Sequence, residues 1–128
     1  VAAAGNEPTG KAVYPAAYPG VVAVGALDAG GQLWDQSNYG SFVSLSAPGI
    51  ASFPVGYNGP PGTYAGTSIS SAYVTRALSL YLSRNPKATR QDALRALQNS
   101  LTDAGAAGRD AQYGYGALDS AAMNRLLK

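Results

Sequence analysis

Gly66-Thr67-Ser68 opens an apolar helical run, Ile69-Ser70-Ser71-Ala72-Tyr73-Val74-Thr75-Arg76-Ala77-Leu78, that meets no breaker until Asn85-Pro86. A serine on a tight glycine turn at the mouth of a helix stands clear of the backbone. The first helical amides then point at any negative charge forming beside it. The same chain holds no histidine. A serine nucleophile needs a base, usually histidine, so the sequence carries one half of an active site and lacks the other.

Downstream of this junction the chain reads as helix. The first helix is expected from about Ser68 to Ser83, with Ile69, Tyr73, Ala77, Leu80 and Tyr81 on one apolar stripe. Asn85-Pro86 stops it. A second helix starts at Thr89, whose hydroxyl can cap free amides while Asp92 sits in the positive first turn; Leu94, Leu97 and Leu101 form its stripe. Residues 103–116 read as a loop rich in glycine and alanine. A third helix runs from the capping residue Asp119 through Ala122, Met123 and Leu126.

Upstream the chain reads as strand and loop. Residues 1–5 are a short apolar strand ending at Gly5-Asn6, and residues 7–20, with Pro8, Gly10, Pro15, Pro19 and Gly20, are loop. Tyr14-Pro15 and Tyr18-Pro19 are aromatic-proline pairs, so one cis turn is expected among them. Val21 to Ala26 is a β-branched run that suits a buried parallel strand. Phe42 to Leu45 is a further strand closed by Ala47-Pro48-Gly49, Ile50 to Val55 another, and residues 56–65 a loop. Strands, then a serine turn, then helices predict an α/β fold with helices on a largely parallel sheet.

Composition narrows the function classes. The 128 residues suffice for one domain with a real core, and at 46% apolar and 12% charged they are unlike a disordered chain. Absence of cysteine excludes disulfides and thiolate metal sites, and without histidine a zinc site is not expected. No apolar run approaches the roughly 18 residues that span a bilayer. The charge is uneven: net −2 over residues 1–67 and net +4 over residues 68–128. The basic residues lie among apolar spacers without an aromatic-basic motif, so they read as solvated surface and no nucleic-acid partner is expected. The chain opens on Val1 in mid-strand, so upstream sequence is expected to have been removed.

Three segments carry a family resemblance when taken in order. They are Ala2-Ala3-Ala4-Gly5-Asn6; then Tyr14-Pro15-Ala16-Ala17-Tyr18-Pro19-Gly20 with Val21-Val22-Ala23-Val24-Gly25-Ala26; then Ala47-Pro48-Gly49 with Gly66-Thr67-Ser68. With the closing run Tyr113-Gly114-Tyr115-Gly116-Ala117-Leu118-Asp119, they resemble the C-terminal half of a subtilisin-like serine peptidase, a subtilase. The resemblance implies a partial subtilisin-like fold, with residues 1–128 the C-terminal portion of the peptidase domain and the N-terminal half missing.

The resemblance also implies roles. Ser68 matches the nucleophile, and its amide would donate to the oxyanion of the tetrahedral intermediate. Asn6 matches the side-chain donor of that oxyanion hole. Losing such a donor costs roughly 3–4 kcal/mol of activation free energy, a magnitude that comes from a subtilisin itself. Read from the residues alone, Asn6 is equally an ordinary turn asparagine and Ser68 a helix cap. Ala3, Ala4 and Gly5 match one wall of the primary specificity pocket, and Thr67 joins the substrate-binding set. Val13 falls where the family often has glycine at the pocket floor. It either shortens the pocket, favouring small substrate side chains, or only packs into the core. The carbonyls of Ala16, Tyr18 and Val21 resemble a weak calcium site, but no carboxylate joins them and no cofactor is expected.

The pattern departs from the family at Ala72, Tyr73 and Arg76, which stand where proline, a non-catalytic histidine and a small glycine are usual. The catalytic aspartate and histidine lie upstream in the family, and no aspartate here falls in a matching motif. Two functions follow. One is a serine endopeptidase fragment carrying nucleophile and oxyanion donor, inactive alone, acting on polypeptide with the N-terminal portion of the same domain. The other is a degenerate, non-catalytic structural or binding module. An unpaired edge strand, Val1 to Ala4, exposes the fragment to domain-swapped dimerisation. Secreted or periplasmic location is what the resemblance implies.

Overall fold

The computed structural model describes residues 1–54 and 59–128. Its elements are β1 (Ala2–Ala3), β2 (Ala23–Leu27), β3 (Leu45–Pro48), β4 (Ile50–Phe53), β5 (Gly62–Ala65), α1 (Thr67–Arg84), α2 (Arg90–Ser100) and α3 (Ser120–Leu126). The first three strands form a parallel sheet in the order β1-β2-β3. All five residues of β2 are buried, as expected of a strand covered on both faces. The α/β architecture with helices on a parallel sheet is therefore what the strand-then-helix order implied.

One face of the sheet carries the helices. Val24, Leu45 and Ala47 of the strands pack with Val74 and Ala77 of α1, Leu97 of α2, and Leu118, Ala122 and Leu126 around α3. On the other side Leu27, Tyr113 and Ala117 make a smaller cluster. The closing run lies against the sheet: Tyr115 N–H donates to the Ser44 carbonyl and Leu118 N–H to the Ser46 carbonyl, each at 2.8 Å.

Local signals set the helix ends. Thr89 and Asp92 form a reciprocal capping box at α2, and the Asp119 side chain accepts the Ala122 N–H at 2.8 Å at the start of α3. The cis bond is Tyr14-Pro15.

Four boundaries and faces differ from expectation. The first strand is shorter than residues 1–5. The strand placed at Phe42 to Leu45 begins only at Leu45, because Val43 N–H closes a turn onto the Gly40 carbonyl. Residues 62–65, read as loop, form β5 and pair antiparallel with β4; Val55 and residues 56–58 lie outside the described residues. The fully buried ridge of α1 is Thr67, Ser70, Val74 and Ala77; of the expected stripe Ala77 belongs to it, Tyr73 and Tyr81 pack half-buried against the core, and Ile69 and Leu80 are half-buried beside it. Small residues face the sheet because the helix approaches it closely. The Ser70 hydroxyl donates to the Ala47 carbonyl at 2.9 Å, and a Cβ on Gly49 would lie 2.7 Å from that hydroxyl.

The arginines of the second half are exposed, as expected of a solvated surface, and four of the six also bond to backbone carbonyls. Arg90 donates to the Gly20 carbonyl at 2.6 Å, Arg109 to Ser41 at 2.6 Å, and Arg125 to Ser100 at 2.9 Å; Arg84 donates to the Leu127 carbonyl. Each ties a helix or loop to the carbonyl of another segment.

Candidate active site

Two chain segments meet at the N-terminus of α1. The first leaves β1 through Gly5, whose φ of +110° is open to glycine and strained for other residues. This turn delivers Asn6. The second climbs β5 to Gly66 and enters α1. Gly66 N–H donates to the Gly49 carbonyl at 2.8 Å, and a Cβ on Gly49 would fall 2.5 Å from the Ala26 Cβ. Bare backbone at Gly49 thus lets the helix start seat against the strand ends, which explains Ala47-Pro48-Gly49.

Asn6 and Thr67 lock together across 61 residues of sequence. Asn6 Oδ1 accepts from the Thr67 N–H at 2.9 Å and from the Thr67 hydroxyl at 2.8 Å. The Thr67 hydroxyl in turn accepts the Gly5 N–H at 3.1 Å. A backbone N–H can only donate, so it settles which end of the amide faces it. The Asn6 NH2 is turned to the other side. A Cβ placed on Gly66 would lie 3.5 Å from Asn6 Nδ2, 3.8 Å from Asn6 Oδ1 and 3.9 Å from the Ser68 N, so the Asn6 amide sits beside the entrance to α1. Asn6 is not an ordinary turn asparagine, because its side chain engages a distant helix instead of its own turn.

Ser68 is the second residue of α1 and is exposed. The N-cap is Gly66, with no side-chain cap bond, so Ser68 does not cap the helix. Among the described residues neither its amide N–H nor its hydroxyl has a hydrogen-bond partner. The first turn of α1 holds no acidic residue, so the positive end of an 18-residue helix is left uncompensated at Ser68.

The remaining expected residues divide. Ala3 and Gly5 are half-buried, and Val13 is too. A Cβ on Gly5 would be 3.6 Å from Val13 Cγ2, so Val13 stands against the Gly5 wall. Ala4 is fully buried and presents no side chain to a ligand. Thr67, grouped at first with substrate contacts, is 1% exposed with its hydroxyl engaged on both sides. Its geometry is that of a residue orienting Asn6, because burial removes it from any ligand's reach. No local signal in the sequence marks this bond, because its partners lie 61 residues apart.

Ala72 and Arg76 lie on the exposed side of α1, and Tyr73 is partly buried against the core. The departures at these positions therefore leave the Asn6–Thr67–Ser68 contacts untouched. The Tyr18 carbonyl, one of three considered for a cation, accepts the Val21 N–H at 3.2 Å. Among the described residues no three carboxylate, histidine or cysteine side chains gather as a metal site.

Comparison with known proteins agrees with this geometry. The subtilase family model matches residues 1–116. The minor extracellular protease Epr of Bacillus subtilis (strain 168) is 39% identical over 119 residues, covering 92% of this chain and 18% of Epr. Subtilisin Savinase of Lederbergia lenta is 34% identical over 128 residues, covering 98% of this chain and 45% of that protein. The chain thus spans less than half the length of these curated relatives. Among solved structures, fervidolysin from Fervidobacterium pennivorans, a keratinolytic enzyme related to subtilisin, superposes with a TM-score of 0.76 at 27% identity, covering 98% of this chain and 22% of that one. A lanthipeptide protease superposes with a TM-score of 0.79 at 24% identity, covering 98% and 48%, and shows the shared fold. With fold, junction and sequence in agreement, the chain belongs to the subtilase family.

Proposed function

We propose that this chain is the C-terminal portion of a subtilisin-like serine endopeptidase domain. Ser68 is its nucleophile, and Asn6 Nδ2 with the Ser68 N–H forms its oxyanion hole. In this reading the base and its aspartate are supplied by an upstream segment, since this chain holds no histidine. The observation that supports this is the Asn6–Thr67 lock, which holds the Asn6 amide beside the start of α1, one residue before the exposed Ser68.

In the proposed reaction Ser68 Oγ attacks the carbonyl carbon of a polypeptide, and its proton passes to the histidine of the N-terminal portion. The carbonyl oxygen becomes an oxyanion held by the two N–H groups, which are fixed before charge develops and so lower the barrier selectively. The C–N bond breaks, the amine leaves with the proton, and water then hydrolyses the acyl ester on Ser68. No cofactor enters these steps.

Val13 against Gly5 gives a shallow primary pocket that takes small substrate side chains. The N-terminal portion pairs along β1, whose only neighbour among the described residues is β2. Neither nucleic acid nor membrane is a partner in this reading, and no helix among the described residues is long and apolar enough to cross a membrane. Relatives named as extracellular proteases support export of the intact protein. The alternative of a non-catalytic module rests on Ala72, Tyr73 and Arg76, whose side chains take no part in the hydrogen bonds that join Asn6, Thr67 and Gly5.

The test is labelling of the intact domain by a fluorophosphonate. Label on Ser68, lost in Ser68→Ala, is the expected result. A folded, complete domain that takes no label is the result that ends the peptidase reading. The chain alone is expected to show no peptide hydrolysis.

A further inference from the structure

Asn38 is 1% exposed, and both the oxygen and the nitrogen of its side-chain amide are engaged. Its Nδ2 donates to the Ala4 carbonyl at 3.1 Å and to the Lys11 carbonyl at 2.8 Å. Its Oδ1 accepts the Gly10 N–H at 3.1 Å. Its own N–H donates to the Gly5 carbonyl at 2.8 Å. These four bonds grip the chain at residues 4 and 5, where it leaves the sheet, and at residues 10 and 11, where it returns. Between them project Asn6, Glu7, Pro8 and Thr9, all exposed. Gly5 and Gly10, at the two ends of the projection, both have positive φ, +110° and +73°.

The clamp is itself anchored. Ser37, also 1% exposed, accepts the Ala26 N–H on its hydroxyl at 2.9 Å and donates that hydroxyl to the Asn38 carbonyl at 3.1 Å. Trp34 N–H donates to the Ala26 carbonyl at 2.8 Å. Asn38 is therefore fixed to the fully buried strand β2 and carries that rigidity to the loop. Thr67 orients the Asn6 amide; Asn38 holds the backbone from which that amide springs.

From this arrangement we infer that Asn38 is a positioning residue for the oxyanion donor. The inference rests on the peptidase reading above. Without the side chain, three loop groups lose their partners together, and the Asn6 NH2 is no longer held at one place before charge develops. A displacement of about 1 Å at such a donor is enough to cost up to ~100-fold in rate.

The experiment is a double-mutant cycle in the intact protease domain, this chain together with the segment supplying aspartate and histidine. Active sites are counted by fluorophosphonate titration of Ser68. Asn38→Ala is expected to lower kcat per titrated site about 10- to 100-fold with KM nearly unchanged. In an Asn6→Ala background the same change is expected to alter kcat by less than about 2-fold, since no donor remains to be misplaced. Asn38→Asp, which keeps the shape but sets a carboxylate against the Ala4 and Lys11 carbonyls, is expected to show the same dependence on Asn6. It serves as the working variant if Asn38→Ala yields no titratable protein.

Equal losses of kcat in both backgrounds overturn the positioning role. So does a loss confined to the titratable fraction, or no titratable protein from either variant; Asn38 then serves the fold alone. A complete wild-type domain that takes no label overturns the peptidase reading and the positioning role with it. A labelled wild type with additive losses overturns only the latter.

Discussion

The amide oxygen of Asn6 accepts two hydrogen bonds from Thr67, one from its N–H at 2.9 Å and one from its hydroxyl at 2.8 Å. That pairing fixes the amide end for end and joins the turn after β1 to the first residue of α1. It also makes Thr67 a structural link whose loss can be read in two ways at once.

Thr67→Val removes the hydroxyl and strands the half-buried Gly5 N–H while keeping the volume. A stability loss of about 1–3 kcal/mol is expected in denaturant titration. In the intact domain kcat should fall with it, and Thr67→Ser should restore most of both. Unchanged kcat in the valine variant would detach Thr67 from donor orientation.

Gly66→Ala separates folding from chemistry. Gly66 has φ 165°, extended backbone that alanine adopts freely, and the added Cβ meets only ordinary contact at 3.5 Å from Asn6 Nδ2. Stability should stay within about 1 kcal/mol. In the proposed function the methyl crowds the Asn6 amide where the oxyanion would sit, so kcat/KM of the intact domain should drop on the order of 100-fold, as when one oxyanion donor is lost. Wild-type kinetics would place the oxyanion elsewhere.

Val13 Cγ2 stands 3.6 Å from where a Cβ on Gly5 would lie, and in the proposed function it sets the depth of the substrate pocket there. Cleavage of a peptide library by the intact domain should favour small side chains on the acyl side of the bond. Val13→Gly should shift preference toward larger ones, by roughly 10-fold or more for each methylene or two admitted. A wild-type preference for large aromatic side chains would show that Val13 only packs.

Gly114→Ala should abolish the fold. Gly114 has φ +61°, and a Cβ would run into the Ser44 carbonyl group and lie 2.7 Å from the Leu45 nitrogen. Backbone on both sides of the clash cannot yield, so a loss above about 4 kcal/mol is expected, seen as insoluble or unfolded chain by circular dichroism.

Asp92 should give acid sensitivity of known sign. Bonds from the Thr89 N–H and hydroxyl region hold its carboxyl below the ordinary 3.8, with Arg95 adding to the effect. A group depressed in the folded chain stabilises it above its unfolded value and loses that contribution as pH falls through the folded value. The gap in melting temperature between wild type and Asp92→Ala should be full near neutral pH and close below pH ~3.8. A gap that widens in acid would contradict the capping-box account.

Much of this molecule is written in local chemistry. Asn85-Pro86 ends α1, Thr89 with Asp92 opens α2, and Asp119 opens α3, because caps and breakers act within three or four residues of themselves. The ordered motifs around Gly5-Asn6, Ala47-Pro48-Gly49 and Gly66-Thr67-Ser68 sufficed for the family, and the buried run at β2 for a parallel sheet. Other features lay beyond sequence. The ridge of α1 that meets the sheet is small and partly polar, since close approach excludes bulk, so the stripe of larger apolar residues found only the flank of the buried face, sharing Ala77 with it and packing Tyr73 and Tyr81 against the core. β5 forms because β4 lies beside it, not because its glycine and tyrosine prefer a strand. Above all, the amide of Asn6 is fixed end for end only because Thr67 claims its oxygen from 61 residues away, and Asn38 grips its loop from 32 residues downstream of Asn6. Residue types are legible one by one; which hydrogen bond each of them makes depends on neighbours that only the folded chain brings within 3 Å of each other.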